Sequence, residues 1–209
     1  MKTKKILFIA EVFFKFLGAL IIISILFLFF VLVHSEYSPE TYNKVTLKIH
    51  GGIEINYDPK TPLPPDSFAE HKEGNNKSIY FSKLTFSSKL RIIFRIFVFA
   101  GFFLLILNEF LNFIRSVKKY STFFPKNYLH FKRIGIYLIF LLIYILYNGF
   151  KGWNIAMKFP DGYYYYNYRV FNLSIGSIII YGALIILSFV VSQVFKEGER
   201  LRTENELTV

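Results

Sequence analysis

The 209-residue chain contains no cysteine, so neither a disulfide framework nor a thiolate-ligated metal or iron–sulfur site can be built from it. Its four histidines, His34, His50, His71 and His130, are scattered, and none stands in an H-E-x-x-H or other paired-ligand spacing. No G-x-S-x-G, phosphate-binding loop or dinucleotide fingerprint occurs. From Phe16 to Val33 there is no charge of either sign. The expectation from these absences is a protein that is not an enzyme and holds no metal and no cofactor.

What is present is apolar. Hydrophobic residues make up 54% of the chain and aromatics 20%, with 26 Phe and 15 Tyr, which excludes disorder and exceeds what one small soluble core would bury. The formal charge of +11 first suggests a nucleic-acid partner. The basic residues, however, sit between long uncharged runs rather than on one polar face, so no direct nucleic-acid binding is expected.

A bilayer span needs about 20 predominantly apolar residues, because a helix rises about 1.5 Å per residue across about 30 Å of hydrocarbon. Four segments meet or approach this: Phe16 to Val33, Ile96 to Ile114, Ile134 to Phe150 and Val170 to Phe195. Each is continuous rather than alternating, so the spans are helices and not barrel strands. The first is too long for a signal-peptide core and Val31-Leu32-Val33-His34 offers no small-residue cleavage site, so it reads as an uncleaved anchor.

Orientation follows from the short loops. Residues 115–133 carry Arg115, Lys118, Lys119, Lys126, Lys132 and Arg133 with no acid, whereas the 151–170 loop carries Lys151, Lys158 and Arg169 against Asp161. The expected topology is therefore 1–33 as cytoplasmic start and first span, 34–90 outside, 91–114 second span, 115–133 cytoplasmic loop, 134–150 third span, 151–169 outside, 170–195 fourth span and 196–209 a cytoplasmic tail. Both termini are expected to lie inside.

The outer loops read as β structure. Val45 to Ile49 and Ile53 to Tyr57 alternate about Gly51-Gly52, the form of a hairpin, and Ile79 to Phe86 reads as a third strand. Met157-Lys158-Phe159, a Pro160-Asp161-Gly162 turn and the Tyr163–Tyr168 run follow in the second loop. The expected fold class is all-α membrane, four transmembrane helices with a small extracytoplasmic β cap formed by both loops. The Tyr run reads first as an aromatic belt at headgroup level.

Asn108, Glu109 and Asn112 form a candidate intramembrane polar site, since an ionisable group in a span is a functional hypothesis by default. The blander reading places Glu109 near the interface, paired with a basic loop side chain. Glu11 and Lys15, at i,i+4, read as a surface or interhelix pair. Glu197/Arg200, Glu199/Arg202, Arg200/Glu204 and Arg202/Glu206 are spaced to extend the fourth helix beyond the membrane. The six loop cations with Gly198, Leu201, Glu204 and Leu207 make a candidate cytoplasmic docking or lipid surface, each cation being worth about 1 kcal/mol against anionic headgroups.

Phe195-Lys196-Glu197-Gly198-Glu199-Arg200-Leu201, running on to Glu204 and Leu207-Thr208-Val209, resembles the F-x-x-G-x-x-L-x-x-E-x-x-L-T-[IV] ending of bacterial membrane proteins grouped as domain of unknown function 2975. Phe124-Pro125-Lys126-Asn127 with Lys132-Arg133-Ile134-Gly135 is similar to that family's second short signature, and Leu173-Ser174 fits the opening of its last span. The resemblance covers roughly residues 96–209. It implies a four-helix integral membrane protein of the bacterial cytoplasmic (inner) membrane, of unknown activity and often encoded beside a small helix-turn-helix regulator. The expected function is thus regulatory or accessory, with the cytoplasmic face engaging a soluble regulator protein, and membrane lipids as further partners. The alternative is a small transporter or channel using the stripe of Asn108, Glu109 and Asn112, which would call for a homo-oligomer because four helices leave little room for a private pore.

Overall fold

The computed structural model describes residues 2–50, 54–55, 76–119, 126–151, 153–159, 162–168 and 175–207. Four long helices dominate: α1 (Lys2–Tyr37), α2 (Phe86–Lys119), α3 (Asn127–Lys151) and α4 (Ile175–Leu207). None of the seven prolines falls within them, so no backbone hydrogen bond is lost inside an apolar stretch. All four are long and apolar enough to cross a membrane, and the protein is a multi-pass membrane protein. The helices outrun the apolar segments that define them. α4 continues without a break past Phe195 to Leu207, carried by ion pairs Arg200–Glu197 (3.3 Å), Arg200–Glu204 (3.2 Å) and Arg202–Glu206 (2.7 Å).

Among the described residues, five short strands lie between the helices: β1 (Thr46–His50), β2 (Glu54–Ile55), β3 (Asn76–Tyr80), β4 (Trp153–Phe159) and β5 (Gly162–Tyr168). The single cap expected from the sequence is not what they form. They divide into an antiparallel pair β1–β3 and a three-stranded antiparallel sheet ordered β2–β5–β4. The hairpin expected about Gly51-Gly52 is also corrected. β1 pairs with β3 over five residues, Thr46↔Tyr80 to His50↔Asn76, while β2 offers just two residues and pairs them with Asn167 and Tyr166. A longer ladder satisfies more backbone groups than a tight turn alone can specify. The turn itself, the Asp58–Asp66 proline-rich stretch, Pro160-Asp161 and Val170–Ser174 lie outside the described residues.

The third strand stops at Tyr80 rather than reaching Phe86, because a helix start competes for its end. Thr85 is an N-cap: its Oγ1 accepts from the Ser88 N–H (3.4 Å) and meets the Ser88 hydroxyl (3.0 Å), and the Lys89 N–H donates to the Thr85 carbonyl (3.0 Å). A 3-10 turn, Phe81–Lys83, bridges strand and cap.

The chain divides into two compact units. The first holds Met1–Ile25, Val98–Ile143 and Ile175–Val209, and is built from helices alone among its described residues. Leu107, Ile114, Ile134, Leu138 and Leu141 are buried in it. Short polar links pin its helices: Ser116 donates to Asn127 Oδ1 (2.6 Å) between α2 and α3, and Ser192 donates to the Tyr128 carbonyl (2.9 Å) between α4 and α3. Lys126, just before α3, takes a positive φ of 79°. The second unit, Leu26–Phe97 with Tyr144–Ser174, contains the strands and buries Leu32, Phe81, Leu84, Ile93 and Ile145 together with Ser35, Lys89, Arg95 and Asn148.

Gly135 is required by close packing in the first unit. A Cβ built there would stand 2.9 Å from the Phe189 ring, closer than real contacts allow. Replacing Gly135 with Val is expected to lower stability by about 1–3 kcal/mol, as overpacking does. Denaturation of the purified variant in detergent checks this, and an unchanged midpoint would refute it.

Candidate functional site

Glu109 is the centre of the best-formed polar site in the first unit. It is carried on α2 and faces α3, with a side chain 6% exposed. Its Oε2 lies 2.6 Å from His130 Nδ1 and its Oε1 lies 3.4 Å from an Arg133 guanidinium nitrogen. An ionised carboxylate only accepts, so the His130 Nδ1–H donates. His130 and Arg133, at i,i+3 in the first turns of α3, meet the acid from one face. Asn108 does not join them. It is exposed, one helical step round from the buried Glu109, and Asn112 is half-buried, so the three residues that the sequence grouped do not line one polar surface. From Lys89 to Glu109 is about 20 residues, roughly 30 Å of helix, the thickness of a hydrocarbon core. The carboxylate therefore stands toward one boundary of the apolar part of α2 rather than in its middle.

The candidate docking residues are placed on the surface. Arg115, Lys118, Lys119, Lys126, Lys132, Arg133, Leu201, Glu204 and Leu207 are exposed and Gly198 is half-buried. Several of the cations are already engaged. Glu11 on α1 receives Lys118 (2.6 Å), Lys15 (2.8 Å) and Arg115 (3.6 Å), and Lys118 also sits over the Phe8 ring, 5.4 Å from its centroid. With Arg133 on Glu109, three of the six loop cations serve as helix clamps. Glu11 thus links α1 to α2 rather than pairing within its own helix alone.

The second unit holds a cluster that sequence reasoning missed. Lys89 Nζ donates to Glu36 Oε1 (2.6 Å), Ser35 Oγ (3.1 Å) and the Ser35 carbonyl (3.4 Å), and lies 5.3 Å from the Phe81 ring centroid. The ammonium thus caps the end of α1, where a cation is favoured by the helix dipole. A serine beside a lysine is also the geometry of one class of nucleophile pair. Here the Ser35 hydroxyl is buried and donates to the Leu32 carbonyl (2.8 Å), while the ammonium donates to a carboxylate and has no lone pair to take a proton. The arrangement is a rivet. Its sequence signal was the placement of Glu36 and Lys89 at the two ends of apolar runs. Ser116 and Asn127 gave no such signal. Among the described residues no three His, Cys, Asp or Glu side chains gather as a metal ligand set.

Comparison with known proteins adds one finding. The model of a family described as "Protein of unknown function (DUF2975)" matches residues 63–209, extending the resemblance upstream of the second helix. No curated protein and no solved structure matches the chain. Since the match spans well over half of a chain whose four long apolar helices fit it, the protein is a member of the DUF2975 family of membrane proteins.

Proposed function

We propose that this is a non-enzymatic regulatory or accessory protein of the bacterial cytoplasmic membrane whose cytoplasmic face engages a soluble partner. The acid-free cation cluster of residues 115–133 supports placing that loop and both termini inside, which leaves the strand-bearing loops outside. The observation that carries the reading is the form of α4. Beyond its apolar stretch it projects as a preformed helix, held by its own ion pairs, with Leu201 55% and Leu207 82% exposed. An apolar pair displayed on a pre-ordered, charged helix lowers the ordering cost of docking. Lys126 and Lys132, exposed on the same helical unit, add positive charge to that unit's surface.

The test is affinity capture in mild detergent with the full chain, a chain ending at Phe195, and the Leu201→Ala/Leu207→Ala double variant. A soluble protein retained by the full chain should fall at least tenfold in both altered forms. Equal capture by all three would sink the proposal.

A further inference from the structure

Within the first unit, α2, α3 and α4 leave a cleft of about 590 Å3 between them, of the size of small-molecule sites. Its walls are apolar side chains of all three helices, among them Phe103, Leu138 and Leu184, and among the described residues no charged side chain lines it. The buried carboxylate of Glu109, in the same unit, is committed to His130 and Arg133. Three polar residues contribute to the lining, Ser177, Tyr181 and Ser188, and the Ser188 hydroxyl is satisfied by its own helix through the Leu184 carbonyl (2.8 Å). A cavity of this lining has too few polar partners to hold water.

The two ends of the cleft differ. At one end the lining residue Phe131 stacks on Phe195 (5.4 Å, 6°) and meets Phe113 edge-on (4.9 Å, 71°), so that end is aromatic. At the other, Ser177 and Tyr181 place a hydroxyl-bearing rim near the start of α4. Between them the exposed Phe103 and Leu184 leave the cleft open sideways, toward the surrounding hydrocarbon. From Ser177 to Val191 the wall runs about 14 residues, roughly 21 Å of helix, which is longer than the ~15 Å depth of one leaflet.

We propose that this cleft binds one acyl chain of a membrane phospholipid, entering laterally, with its ester group at Ser177 and Tyr181 and its methyl end against Phe131. The uncharged lining matches a neutral chain, and the tyrosine, apolar in body and polar at its tip, matches the boundary between chain and headgroup. The aromatic end, with no hydroxyl among its rings, suits the methyl end of such a chain.

Native mass spectrometry of the full chain, extracted in mild detergent from membranes, tests this. The chain should retain one phospholipid at energies that strip the remainder. Ser188→Phe, which fills the cleft, should lower the lipid-bound fraction at least tenfold, and Ser177→Phe at the rim, a milder change for folding, at least threefold. Ile179→Phe, on an exposed face outside the cleft, should retain lipid as the unaltered chain does. Equal retention in the filled variants overturns the proposal. So does a filled variant that loses a second copy of the chain instead of a lipid.

Discussion

Replacing Glu36 with Ala is expected to cost about 3 kcal/mol, more than replacing its partner Lys89 with Met, which should cost about 1–2 kcal/mol. The asymmetry comes from exposure. The Lys89 side chain is 3% exposed and that of Glu36 40%. Without Glu36 a buried ammonium is left with one hydroxyl and one carbonyl. Without Lys89 the carboxylate turns to water, and the Ser35 hydroxyl keeps its bond to the Leu32 carbonyl. Denaturation midpoints of the two variants in the same detergent decide the matter. If the Lys89 variant is the less stable of the two, the cluster is held by packing of the lysine stem and not by its charge.

His130→Ala is expected to lower stability by about 2–3 kcal/mol, because it leaves the Glu109 carboxylate buried with the 3.4 Å Arg133 contact alone. Arg133→Ala should cost less than about 1 kcal/mol, since that side chain is 53% exposed and its contact is long. Glu109→Gln, which keeps an acceptor for His130, should fall between them. The order His130→Ala, Glu109→Gln, Arg133→Ala, read from unfolding in detergent, is the prediction. A variant of Arg133 that proves the most damaging would show that the guanidinium, and not the imidazole, satisfies the acid.

The membrane character was legible because apolar length is a one-dimensional property: Phe16 to Val33 announces a span without reference to any neighbour. The charge lattice after Phe195 was equally local, so the extension of α4 could be read directly. Pairings were not local. Thr46–His50 carries an alternation that fits any strand partner, and nothing in it names Asn76–Tyr80 rather than the segment across Gly51-Gly52. The end of the third strand was misread because Ile79 to Phe86 is rich in β-favouring residues, while the cap at Thr85 depends on one hydroxyl. At the candidate site, Glu109 was legible as an ionisable residue in a span, but His130 looked like one of four scattered histidines. Helix spacing places Asn108 near Glu109 in number, yet about 100° apart around the axis, and burial takes one and leaves the other.

The clamps at Glu11 and Glu36 have a bearing on how α1 meets bilayers of different thickness. Along α1 they are about 25 residues apart, roughly 37 Å, so they bracket a ~30 Å hydrocarbon core with little to spare. Between them, apolar contact with α2 gains nothing over apolar contact with lipid, because tails are as hydrophobic as leucine. Each unit pins its own stretch of α1 to α2, the first through Lys118 on Glu11 and the second through Lys89 on Glu36. A bilayer thinner than the apolar stretch of α1 is then met where the polar clamps stand, by snorkelling of the lysine stems and local thickening of the lipid.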